Sequence, residues 1–122
     1  MGIAFVKFFY DKENQIVVGE DHGTNTLLRV DEFELDYQCE YLISVEGCYD
    51  VVDGSENEVI RMLRFKTNTQ TSQVFGVETK SNFILQKERH KIVGFHGKMG
   101  KMLHQIGVNV LPIHNDHLHL II

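Results

Sequence analysis

Residues 94–107 read GFHGKMGKMLHQIG, and the glycines at 94, 97 and 100 with Lys101 behind the last resemble a loop that wraps phosphate. That chemistry needs a fixed spacing. A first glycine, four residues and then Gly-Lys-Ser/Thr let backbone N–H groups surround the phosphates while a hydroxyl holds magnesium. Counted back from Gly100-Lys101, the first glycine position holds Phe95, and the hydroxyl position holds Met102. No Gly-x-Gly precedes a helical pattern, so the dinucleotide fingerprint fails too. Two strands, KIVGFHG and MLHQIGVNV, joined by a glycine-rich turn fit the stretch better. Glycine in such a turn lets a second backbone or a ligand come close.

Seven histidines raise a metal reading. In the tail HNDHLHLII, His114, His117 and His119 lie near Asp116, and an extended strand puts His117 and His119 on one face. Closed zinc sites ordinarily use cysteines or histidines at helical spacing, and this tail has neither. The expectation is no purposeful metal site and no cofactor. His96 and His104 lie on the two arms of the glycine hairpin, placed to face each other. No serine or cysteine with a positioned base reads as a nucleophile beside them. The carboxylates Glu32, Glu34 and Asp36 alternate regularly, as on a solvated face, and Glu20-Asp21 stand side by side in a turn-like stretch. No catalytic residue emerges, and the chain is not expected to be an enzyme.

The 122 residues suit one domain, and 43% hydrophobic content is enough for a core without staples. Twelve Lys plus Arg against seventeen Asp plus Glu give a net charge near −5, with no basic stripe of the kind that binds nucleic acid. Cys39 and Cys48 are too few for a disulfide framework, so two reduced thiols are expected. The N-terminal run MGIAFVKFFYD is short, is broken by Lys7 and lacks a small-residue cleavage site. No run approaches the ~20 apolar residues that span a bilayer. A soluble cytoplasmic protein without membrane contact is the expectation.

These residues must be positioned by strands, because the hydrophobic period is two almost everywhere. AFVKFFY at 4–10, IVV at 16–18 and TLLRV at 26–30 are β-branched or aromatic and too short for good helices. DEFELDY alternates, with Phe33, Leu35 and Tyr37 on one face and Glu32, Glu34 and Asp36 on the other. YLISVEG, VIRMLRFKT, NFILQ, KIVGFHG and QIGVNVLPI continue the style to residue 113. Turn residues fall at 53–55, 67–69, 76 and 97–100. Short strands so punctuated predict an all-β sandwich, barrel or prism. No internal repeat stands out in residue identity.

The ordered stretches FKTNTQTSQVFGVET, IVGFHG and the hairpin into LHQIGV resemble the jacalin-related lectins, and the likeness extends over about residues 3–113. FELDY, EY and VEG resemble most the plant lectins that bind myrosinases and related β-glucosidases. The resemblance implies a β-prism of three antiparallel Greek-key sheets, with residues 114–122 as a His-rich tail on a single domain, 1–122. It implies binding of mannose, glucose or galactose sugars without metal. It also places a sugar site on a Gly-x-x-x-Asp loop. Carried over by position, Gly100 is the glycine, Lys101 and Met102 present backbone N–H groups, Leu103 is a buried spacer and His104 stands at the Asp position. The loop Val51–Glu58 adds Asp53 and Asn57. The family's first strand and Gly-Gly loop have no counterpart in this sequence, and LHLII in the tail is expected to pair as an edge strand in its place. Two readings of function remain: a mannose/glucose-type lectin with weakened sugar affinity, or a protein-interaction module that associates with β-glucosidases or other lectin chains without sugar. Exposed strand edges also predict self-association.

Overall fold

The computed structural model describes residues 2–9, 14–21, 28–36, 40–51, 58–99 and 102–113. Period-two alternation makes strands throughout them: β1 (Gly2–Phe9), β2 (Asn14–Asp21), β3 (Leu28–Leu35), β4 (Leu42–Val51), β5 (Glu58–Thr67), β6 (Phe75–Gly76), β7 (Ser81–Leu85), β8 (His90–Met99) and β9 (Leu103–Pro112). Every pairing is antiparallel. β1, β2 and β3 form a meander. β4, β5 and β6 form a second one, and β7 returns to lie beside β4 on the side away from β5, which is a Greek key. β8 and β9 form a long hairpin that meets the second wall at one pairing, Leu42 with Ile92. Three antiparallel walls round one core make this an all-β, β-prism fold.

The structure refines the expected strands. LRV at 28–30 and DEFEL at 31–35, from pieces expected to be separate, belong to the single strand β3. Asp31 does not interrupt it: the ladder with β2 runs through Val18↔Asp31, and the Asp31 carboxylate pairs with Arg29 at 3.1 Å. As expected, Phe33 and Leu35 are buried while Glu32, Glu34 and Asp36 are exposed; Tyr37 lies outside the described residues. β6 is two residues long and carries no periodic signal. Among the described residues the middle wall alone completes the Greek key. The tail 114–122, with His114, Asp116, His117, His119 and the LHLII segment, lies outside them.

Each wall sends aromatic rings to the centre. Phe65 on β5 is fully buried and packs against Phe33 of the first wall (6.3 Å between centroids), Phe75 of its own wall (5.7 Å) and Phe95 of the third (6.0 Å). Ile3, Ile16, Val18, Leu42, Val45, Leu63 and Ile92 fill the space around these rings.

β4 and β5 are ten residues each, so at ~3.3 Å per residue the prism has two poles about 30 Å apart. One pole holds the start of β4 and the end of β5, and a buried carboxylate organises it. Glu40, 6% exposed, accepts from Thr67 Oγ1 (2.5 Å), Thr69 Oγ1 (2.7 Å) and the Asp36 N–H (2.9 Å). Burial pushes this carboxyl up, but the hydrogen bonds from Thr67, Thr69, Asp36 and Gln70 together outweigh it and hold its pKa below the usual carboxylate value. Thr67 Oγ1 also accepts from the N–H groups of Thr69 (3.2 Å) and Gln70 (3.0 Å). Asn68 clamps Tyr41 in both directions, Oδ1 accepting from its N–H (2.9 Å) and the Asn68 N–H donating to its carbonyl (3.2 Å).

Candidate carbohydrate site

The other pole is built on the β8–β9 hairpin. β8 continues to Met99, so Gly97, expected in the turn, lies inside the strand. A Cβ there would sit 2.0 Å from the Gln105 carbonyl oxygen, so only glycine lets the two backbones run this close. The register slips between Lys98 and Met99 as the strands close on the turn. Gly100 and Lys101 lie outside the described residues, as do Asp53 and Asn57.

Three strand starts meet at this pole. Met102 puts its sulfur over Gly2 at the start of β1: a Cβ on Gly2 would lie 3.0 Å from Met102 Sδ and 3.1 Å from the Ile60 carbonyl on β5. Leu103 is buried and anchors the first residue of β9 in the core. His104 follows, half-buried, with Nδ1 3.1 Å from the Glu58 carbonyl oxygen. A carbonyl only accepts, so Nδ1 carries the proton and donates, and in the neutral ring Nε2 is left as an acceptor. Glu58 is the first residue of β5, where the Val51–Glu58 loop re-enters the fold. The structure therefore brings Met102, His104 and the end of that loop together.

His96 and His104 do not face each other as expected. The His96 ring lies over its register partner Gly107, where a Cβ would come within 2.1 Å of His96 Cε1. Cys48 is a free, buried thiol, and Cys39 lies outside the described residues. Among the described residues no three His, Cys, Asp or Glu side chains group as metal ligands. The partner of His104 was not foreseeable from residue types, because a backbone carbonyl leaves no mark on the sequence.

The fold defines a β-prism domain. The chain belongs to the jacalin-like lectin domain family, whose model matches residues 1–109. It is 81% identical over 113 residues to Jacalin-related lectin 16 of Arabidopsis thaliana, covering 93% of this chain and 21% of that protein. It is 57% identical over 114 residues to PYK10-binding protein 2 of the same plant, covering 93% of this chain and 38% of that protein. The chain thus spans about a fifth of the first relative and under two fifths of the second. Among solved structures it resembles jacalin in complex with melibiose (TM-score 0.64, 29% identity, 90% of this chain and 92% of that one). It also resembles artocarpin complexed with methyl-α-mannose (TM-score 0.65, 28% identity, 90% and 83%).

Proposed function

We propose that this domain binds glycans of the mannose/glucose type at the His104 pole, and that it binds monosaccharides weakly. The carrying observation is His104, which stands at the resemblance's carboxylate position and is held by the Glu58 carbonyl. A carboxylate takes hydrogen bonds from two adjacent sugar hydroxyls, and such charge-assisted bonds are about twice as strong as neutral ones. With Nδ1 donating to the Glu58 carbonyl, His104 offers at most one ring acceptor, Nε2. Replacing a charged bond by a neutral one costs on the order of 1.5 kcal/mol, roughly tenfold in affinity. Artocarpin, solved with methyl-α-mannose, and jacalin, solved with melibiose, resemble the chain to the same degree, so the sugar class rests on the sequence resemblance and is decided by titration. The test is titration of methyl-α-mannoside, methyl-α-glucoside and methyl-α-galactoside into the protein. Weak binding of the first two over the third supports the reading, and preference for galactoside overturns it.

A second reading has its own support, since a relative at 57% identity is named for binding PYK10. In this reading the domain is an interaction module that associates directly with a β-glucosidase or with other lectin chains. A pull-down from plant extract, eluted with mannose and then with salt, separates the two. Release by mannose marks sugar-mediated capture, and release by salt alone marks direct contact.

A further inference from the structure

At the Glu40 pole the turn between β7 and β8 has a feature that sugar binding does not use. Arg89 has φ 61°, and among the described residues it is the one non-glycine in the left-handed region. That conformation is unfavourable for a side chain with a Cβ, and such outliers gather where a particular side chain is needed. Three of the turn's carbonyls accept hydrogen bonds. Lys87 O accepts from the His90 N–H (3.0 Å), Glu88 O from His90 Nδ1 (2.8 Å) and Arg89 O from the Ile113 N–H (2.8 Å). Lys87 and Arg89 are exposed and form no ion pair among the described residues. In a chain of net charge −5, the stretch KERHK at 87–91 is locally basic. A recess of about 380 Å³ opens there, lined by Ile43, Gln86, Lys87, Glu88, Arg89 and His90.

We propose that this recess docks an acidic segment of a partner protein, with carboxylates on Lys87 and Arg89 and an apolar side chain against Ile43. The guanidinium fork matches a carboxylate in a bidentate way, and the Lys87, Glu88 and Arg89 carbonyls are already engaged. Glu88 in the lining, with neutral Gln86 and apolar Ile43, disfavours a densely sulfated chain and suits spaced carboxylates. β8 runs ten residues from this turn to Met99 at the sugar pole, about 30 Å away, so both sites can be occupied at once. The proposal is independent of the sugar reading.

The test uses a capped peptide of alternating glutamate and leucine, followed by amide NMR shifts, with heparin as a second titrant. The amides of 86–90 should shift with the peptide, and added salt should weaken binding. Arg89→Gly removes the guanidinium and puts the residue that tolerates this φ in its place, so the thermal midpoint should hold while peptide affinity falls roughly tenfold. Lys87→Ala should fall in the same direction, and methyl-α-mannoside binding should not change in either variant. Shifts confined to other residues, unchanged affinity in Arg89→Gly, or binding of heparin without the peptide would each overturn the proposal.

Discussion

The two poles of the prism hold their polar groups in opposite ways. At one, Glu40 is nearly sealed and takes hydrogen bonds from two hydroxyls and a backbone N–H, with Thr67 tying the same turn internally. At the other, half-buried His104 makes one bond, to the Glu58 carbonyl. A carboxylate serves as a structural clasp where hydroxyls surround it. Where the resemblance puts an acidic group stands an imidazole whose Nε2 has no partner among the described residues. The first pole invests its polar groups in the fold; at the second, the proposed function assigns one to a ligand. Substitutions at the clasp should therefore change stability with little effect on sugar, and substitutions at His104 the reverse.

The largest effect should come from the ring both poles share. Phe65→Ala removes a fully buried side chain that touches rings of all three walls, and should cost about 3–5 kcal/mol. Urea unfolding followed by probes at each pole should shift together; separate transitions would show that the poles are not one cooperative unit.

Next in size is the clasp. Glu40→Gln should cost about 1–3 kcal/mol while leaving mannoside binding intact. The pH dependence has a definite sign. The folded pKa of Glu40 is lowered from 4.5, so its contribution is complete above that value and is lost as the pH falls through the folded one. Wild type should lose stability on acidification below about pH 4.5, and Glu40→Gln should lose less over the same interval. Equal acid slopes in chemical unfolding would remove Glu40 from the account.

Gly97→Ala pushes a methyl group into the Gln105 carbonyl and should cost about 1–3 kcal/mol. Because it distorts the hairpin that carries His104, it should weaken mannoside binding as well, which Glu40→Gln should not. Calorimetry on both variants compares a clasp with a scaffold. His104→Ala is the smallest of the series in stability, under about 1 kcal/mol for one half-exposed bond, yet it should abolish measurable mannoside binding.

Much of this was legible in the sequence, for reasons the structure makes concrete. Alternation in DEFELDY reports a half-buried strand because side chains of a strand point to opposite faces, and the burial of Phe33 and Leu35 follows it. FKTN reads as a family signature because Phe65 sits at the axis, Thr67 is the hub of the clasp and Asn68 clamps Tyr41. Other features were illegible. β6 is too short to show a period. Rings lie against glycines across the sheet at Phe5–Gly19, Phe83–Gly47 and His96–Gly107, but at unequal separations along the chain, so no repeat shows in the one-dimensional string. The His104–Glu58 bond uses a backbone acceptor, and the strained Arg89 becomes visible only as a dihedral angle.

The central claim, that an imidazole at the carboxylate position sets weak sugar binding, is tested most directly by calorimetric titration of methyl-α-mannoside into wild type and His104→Asp. The account predicts that His104→Asp binds roughly tenfold more tightly, as a charge-assisted acceptor replaces a neutral one. Tight binding by wild type that His104→Asp weakens would contradict it, and would make the imidazole a better sugar ligand than a carboxylate at this position.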